Sequence, residues 1–467
     1  MAEKTKGELL QEQLLMDPKN MGETLPPEEM KRAYDFCEPY KDFLTRAKTE
    51  REAVAWMVKK LEESGYTPYR RGKEYKAGEK FYFNNRDKSL AAVTVGSRPI
   101  SQGVHIGASH IDSPRLDFKP RPLYEEAQLA YFKTHYYGGV KKYQWSAIPL
   151  SIHGVVLKKD GTSVTVTIGE DEGDPIFCVT DLLPHLAKDQ MKLTMAEGIK
   201  GEQLNILIGC QMFGDTEETV SERVKLNVMK LLSEKYGIVE SDFLSAELAA
   251  VPAFPARDLG LDRGMIGSYG HDDRVCAYCN LMAEIDAKDP AYTTVTVFAD
   301  KEEVGSDGNT GLHSMWLADF IEDLAQAQGA QVRHVLERSK CLSTDVNAAF
   351  DPSFPDVTER RNVAYLNYGV VLTKYTGSGG KSSTNDASAE TMHFFRKLMD
   401  DAGVVWQTGE LGKVDQGGGG TVAKYVSFHN VDTVDLGVPV LSMHAPFEVV
   451  SKADVYMTYK AMEAFYQ

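Results

Sequence analysis

Cysteine is scarce in this chain, with six in 467 residues, too few for a disulfide scaffold. Two of them, Cys276 and Cys279, form a lone CxxC. Val275, Cys279 and Met282 share one face of a helix expected to begin near Asp273, so the pair reads as buried structural thiols rather than a redox couple. Long apolar runs are absent as well: nothing reaches the roughly 18 residues that a membrane-spanning helix needs. The first stretch, MAEKTKGELLQEQLL, is too charged to be the apolar region of a signal peptide, and the cytoplasm is the expected location. Positive charge is in deficit. Against 68 Asp and Glu stand 52 Lys and Arg, a formal net charge of −16, which argues against nucleic acid and anionic membranes as partners and favours simple solubility. A P-loop is missing too. Gly377-Ser378-Gly379-Gly380-Lys381-Ser382-Ser383 resembles one, but Tyr375 stands where the motif needs its first glycine, so a flexible loop is expected.

What is present is ordinary for a globular chain, with 42% hydrophobic and 26% charged residues and a length that suits two domains or one domain with an insertion. Thr49 and Glu52 form a capping-box pattern ahead of the stripe Val54, Met57, Val58 and Leu61, with Gly65 as the stop. Short apolar runs follow at 91–95 and 104–108. From about Asp117 to Val251 the texture changes. A Tyr- and Gly-rich stretch (YFKTHYYGGVKKYQW) is expected to be a contact surface. An alternating strand pattern follows at 163–168, another run at 204–208, and charged helical segments over 217–236. From Pro255 onward short β-rich runs alternate with helical patterns. The expected fold class is α/β: a mixed, largely parallel sheet flanked by helices, interrupted by a smaller β-rich domain. The boundaries read as 1–116 and 255–467 for the two parts of a catalytic domain, with 117–254 inserted between them.

Five stretches place metal-ligand residue types, mostly just after an apolar run: His110 in SHIDSP, Asp272 in GHDDR, Glu302 and Glu303 in FADKEEVGS, Asp345 in STDVNAAFDP, and His444 in LSMHAPFE. Two His, two Asp and a Glu suit zinc or a similar divalent ion. Sites in α/β sheets gather beyond the carboxyl ends of strands, and four of the five stretches fit that rule, while Asp272 precedes a helix. In the Glu pair, one carboxylate can bind metal while its neighbour acts as general base. Asp112, two residues after His110, can accept from the imidazole's second nitrogen. Asp272 and Asp273 could both be ligands, or one could cap the helix that follows. Asp345 is equally compatible with capping a helix that starts near Val346. The set as a whole suggests a two-metal hydrolase.

In their order and spacing, HIDSP, the DD of GHDDR, DKEEVGS, STD and SMH make the chain resemble the aspartyl aminopeptidase and vacuolar aminopeptidase I family over nearly its whole length. The resemblance implies that His110, Asp272 and Asp345 hold one metal. Asp272 would bridge to a second, held also by Glu303 and His444. Glu302 would be the base and Asp112 its catalytic companion at the first His. Two divalent ions, zinc or alternatively cobalt or manganese, would polarise the scissile carbonyl. It further implies peptide substrates with a free N-terminus, an inserted dimerisation or lid domain, and dimers that assemble into a homo-dodecamer. His185 matches the first of two His that the aspartyl enzymes carry in the insertion, but Asp189 stands at the second. Their acid-recognising Lys aligns with Thr373 or Lys374. Both departures point away from aspartyl specificity, toward a neutral or basic preference. Gly420 and Thr421, at the end of the Gly417–Gly420 run, fall where the family has a Gly-Thr near the site. Two readings compete: hydrolysis of other amides such as N-acyl amino acids or dipeptides, and a non-catalytic scaffold, whose signature would be loss of a ligand or the base. None is lost.

Overall fold

The computed structural model describes residues 4–214 and 220–467. A nine-stranded sheet forms its centre, in the order Thr67–Pro68, Lys80–Asn85, Ser89–Thr94, Thr293–Ala299, Val104–His110, Lys340–Thr344, Asp432–Gly437, Val370–Thr373, Trp406–Thr408. The four strands in the middle, from Thr293–Ala299 to Asp432–Gly437, run parallel, and antiparallel strands flank them on either side. All seven residues of Thr293–Ala299 are buried, as expected for a strand covered on both faces. Its Val295 and Val297 face the helix Trp316–Ala327. The opposite face carries Phe298 and lies against the helices His271–Asp286 and Lys452–Tyr466. The fold is therefore α/β, layered helix–sheet–helix.

Residues Arg115 to Pro252 contribute a second, seven-stranded sheet, antiparallel throughout, with the helix Arg223–Tyr236 packed on it. The first part of the helical stretch expected over 217–236, through residue 219, lies outside the described residues. The strand patterns at 163–168 and 204–208 become Ser163–Ile168 and Ile206–Gly209. A third, five-stranded sheet is assembled from distant pieces: Arg257–Leu259, Met265–Ser268, Glu448–Ser451, Pro439–Leu441 and Asn347–Ala348. Its presence corrects two expectations. Asp345 caps no helix, because the chain continues into the strand Asn347–Ala348. The strand before His444 lies in this third sheet rather than the central one.

Local signals fold as the sequence suggests where they are short-range. Thr49 Oγ1 accepts from Glu52 N, and the Glu52 carboxylate accepts from Thr49 N, opening the helix Glu50–Glu63; such caps contribute about 1 kcal/mol. Cys276 and Cys279 are both buried and unpaired. Among the described residues, no helix is long and apolar enough to cross a membrane.

Candidate metal centre and active site

The carboxyl ends of the parallel strands bring the site together. His110 is the last residue of its strand, paired with Ala299, and the Glu pair follows Ala299 after Asp300 and Lys301. Asp345 directly follows the neighbouring strand Lys340–Thr344. Asp272 enters from the turn ahead of the helix that covers the sheet. Neither it nor Asp273 has helical backbone angles, and a cis peptide joins them. His444 arrives from the third sheet.

Asp272 lies between the two histidines. Its Oδ1 is 3.1 Å from His110 Nε2 and its Oδ2 is 3.2 Å from His444 Nε2. Asp345 Oδ1 approaches His110 Nε2 at 3.6 Å, and Glu303 Oε2 approaches His444 Nε2 at 3.5 Å. Two overlapping triads, His110–Asp272–Glu303 and His110–Asp273–Asp345, have their donor atoms within 4.8 Å of one another and could each hold an ion. Asp273 Oδ2 is already an acceptor for the His110 backbone N–H at 3.2 Å.

Several carboxylates hold the ligand backbone in place. Asp112 accepts from the N–H groups of Glu302 and Glu303 at 3.1 and 3.2 Å and from the Tyr137 hydroxyl at 2.7 Å. The expected Asp112 support of His110 is shared: Nδ1 lies 3.0 Å from the Asp112 backbone carbonyl and 3.3 Å from its Oδ1. Glu448 accepts from Asp272 N at 3.1 Å and His444 N at 2.7 Å. These bonds hold unfavourable backbone: Lys301, just before the Glu pair, and His444 both have positive φ, at 69° and 63°. Such conformations cost on the order of 1 kcal/mol or more each.

The electrostatics of the bare site are unbalanced. Burial, with added repulsion from Asp345, Asp112 and Asp272, pushes Glu302 up to about 8 despite His110. Burial and Asp272 likewise push Glu303 well above the carboxylate range, and burial raises Asp345. Burial opposes charge on His444, yet Asp272 and Glu303 raise it to about 11. Asp272 is held low, against its burial, by the two imidazoles, and Asp112, also against its burial, by His110. Glu303 Oε1 is buried with no hydrogen-bond partner. An orphaned buried carboxylate oxygen amid four carboxylates is an environment that lacks positive charge. The nitrogen and oxygen donors match what zinc takes.

The site opens into a cleft of about 450 Å³. Asp272, Glu302, Glu303, Asp345 and His444 line it, and so do Gly420 and Thr421, whose hydroxyl donates to the buried Asp435 at 2.6 Å. His185 and Lys374 are not in that lining. His185 is solvent-exposed, and the Lys374 ammonium is paired with Asp386. Thr373 is buried and accepts from Asn347. Sequence reasoning missed Glu448, Asp435, Tyr137 and Gly139. Glu448 stood four residues after His444 in the quoted LSMHAPFE, and Tyr137-Gly138-Gly139 stood in the Tyr- and Gly-rich stretch. Neither carried a signal of its direction without the fold.

Comparison with known proteins agrees with this geometry. The family profile described as aminopeptidase I zinc metalloprotease (M18) matches residues 43–466. The chain belongs to that family. A probable M18 family aminopeptidase 1 of Clostridium acetobutylicum is 47% identical over 460 residues, covering 97% of this chain and 98% of that one. The crystal structure of an M18 aminopeptidase from Thermotoga maritima superposes with a TM-score of 0.92 at 44% identity, over 97% of this chain and 99% of that one. An S. cerevisiae mApe1 dodecamer shares the fold at 19% identity, with a TM-score of 0.75 over 94% of this chain and 97% of that one. This member of the M18 zinc metalloprotease family is accordingly a metal-dependent aminopeptidase, a hydrolase acting on peptides.

Proposed function

We propose that the M18 activity is carried out here by a two-ion centre. His110, Asp345 and Asp272 would hold one zinc, and Glu303, His444 and Asp272 would hold the other. The observation that carries this reading is the position of Asp272, with its two oxygens at 3.1 and 3.2 Å from two different histidines. When bound, the ions supply Lewis acidity toward the scissile carbonyl and the attacking water. Glu302 is the one carboxylate of the Glu pair left without a ligand role. It takes the proton of the attacking water and passes it to the leaving amine. Bound cations beside Glu302 would offset the repulsion that raises it and favour the ionised carboxylate that a base requires. Asp112 keeps the 302–303 turn in register for that transfer through its two backbone bonds.

The substrates are peptides with a free N-terminus. Val346, Ala348, Leu411 and Met443 give the cleft a neutral wall, which suits a neutral first residue. Its one lining lysine, Lys424, has its Nζ 5.4 Å from the centre of the Tyr425 ring. Residues 117–254 form an inserted dimerisation or lid domain, and the chain works as a homo-oligomer, by likeness of fold to the mApe1 dodecamer. Six free cysteines fit a cytoplasmic setting.

The test is hydrolysis of free and N-acetylated peptides with varied first residues, using chelated protein and protein reloaded with zinc, cobalt or manganese. Release of the first residue only from free amines, lost on chelation and restored at two ions per chain, is expected. Cleavage of acetylated substrates would move the activity to another amide class, and full activity at one ion per chain would remove the bridging role of Asp272. A strong preference for acidic first residues would shift recognition to Lys424.

A further inference from the structure

The antiparallel sheet contributes directly to the metal centre at one place. The strand Leu129–Tyr137 ends beside it, and the next two residues are glycines whose backbone lies against the ligand side chains. Gly139's carbonyl oxygen accepts from His444 Nδ1 at 2.8 Å. A Cβ on Gly139 would sit 3.2 Å from that nitrogen, and one on Gly138 would sit 3.1 Å from Glu303 Oε2. One residue earlier, the Tyr137 hydroxyl donates to Asp112 Oδ2 at 2.7 Å. Tyr137 is itself fixed by the Arg115 guanidinium, 4.3 Å from its ring centre, and Arg115 is anchored to Glu50 and Asp117.

We propose that Tyr137 and Gly139 are positioning residues of the M18 reaction, through which the inserted sheet sets the orientation of His444 and of the Glu302–Glu303 turn. The Gly139 carbonyl holds the proton of His444 on Nδ1, leaving Nε2 with its lone pair toward Asp272 and Glu303. A metal-ligating imidazole generally needs such an acceptor on its far nitrogen. Tyr137 holds Asp112 at the angle from which it takes both backbone N–H groups of the Glu pair. The two contacts act on different parts of the centre, so they have separable signatures. The inference rests on His444 being a zinc ligand and Glu302 the base.

Gly139→Ala and Tyr137→Phe test it, because neither forces an unfavourable backbone conformation, and the Cβ of the first crowds His444 alone. Gly139 does not have positive φ, and phenylalanine keeps the ring beside Arg115. Zinc affinity is read by competition with a chromophoric chelator on the full chain, and kcat and KM are read separately. Gly139→Ala is expected to weaken the looser zinc step by about 10- to 100-fold while the tighter step stays unchanged. Tyr137→Phe is expected to keep both zinc steps and lower kcat by about tenfold at unchanged KM, with a shifted acidic limb of the kcat–pH profile. Lys141→Ala, an exposed neighbour, serves as the control with wild-type values throughout. Wild-type zinc binding in Gly139→Ala together with wild-type kcat in Tyr137→Phe overturns the inference. His444→Ala separates that failure from failure of the underlying assignment: if it too keeps two zinc steps, His444 is not a ligand. Should Gly139→Ala fold poorly by circular dichroism, Tyr137→Phe decides alone.

Discussion

Two buried clusters of ionisable side chains, one around His153 and one around Asp272, are built on opposite terms. Where the helix Glu50–Glu63 meets the antiparallel sheet, His153 lies between Glu52 and Glu170, at 2.7 and 2.9 Å. Lys48, itself buried, reaches Glu170 at 2.7 Å and the Pro252 carbonyl at 2.8 Å. Two cations face two carboxylates, and the Glu52 carboxylate also caps its helix. At the candidate metal centre, the carboxylates of Asp272, Glu302, Glu303 and Asp345 face two imidazoles, Glu303 Oε1 is buried with no partner, and three of those four carboxyls are pushed above their ordinary range. The first cluster is complete within the chain and ties one sheet to the other. The second is complete only with cations supplied from outside. Perturbed groups are shared by structural and functional sites, and charge balance is what separates them here.

The largest effect expected from breaking this contrast is at the unbalanced cluster. Glu302→Gln should lower kcat by about 10²- to 10⁴-fold while zinc content, measured by atomic absorption, stays at that of the wild type. Near-normal turnover at full zinc loading would remove Glu302 from the role of base.

At the balanced cluster, the effect is on stability. His153→Asn should destabilise by about 3–5 kcal/mol, because two carboxylates lose the charge between them, with kcat of the folded fraction unaltered. The pH dependence sharpens it. Burial opposes the His153 imidazolium, but Glu170 and Glu52 raise its folded pKa above 6.5. Its contribution is therefore fully present below 6.5 and lost as pH rises through the raised folded value. Glu52 and Glu170, held below 4.5 against their burial, contribute above 4.5 and lose it as pH falls through their depressed values. The gap in Tm between wild type and variant should be widest between pH 4.5 and 6.5. A gap that stays flat from pH 4 to 9 would mean that the imidazole is a neutral packing group.

The smallest effect is expected at an exposed ion pair that belongs to neither cluster. Lys374→Ala breaks its exposed pairing with Asp386 and a loose approach to the Tyr375 ring, so stability should change by less than about 1 kcal/mol. The ratio of kcat/KM for acidic and neutral first residues should stay the same. A changed ratio would bring Lys374 into substrate recognition despite its place outside the cleft lining.

Legibility in the sequence followed the range of the interaction. The capping box at Thr49 and Glu52 and the strand alternation at 163–168 depend on neighbours a few residues apart, and each could be read directly. The metal-ligand types could be recognised as a set because each stands in a short local context. The backbone around Asp345 could not be read, since an Asp before Val-Asn suits equally a cap or the step between two strands. Nor could the sheet before His444, since an apolar run does not say which sheet it joins.

Residue types and local spacing, then, determined the α/β class and which side chains are candidate donors and bases, because periodicity and ligand chemistry are written into short stretches. Tertiary structure alone decided that one carboxylate faces two histidines from different sheets, that Glu448 ties the Asp272 turn to the His444 loop, and that a diglycine from residue 138 lies against Glu303 and His444. Apart from the short bond from Glu448 to His444, those contacts join residues more than a hundred positions apart. Their geometry comes from the packing of whole sheets, which no local pattern encodes.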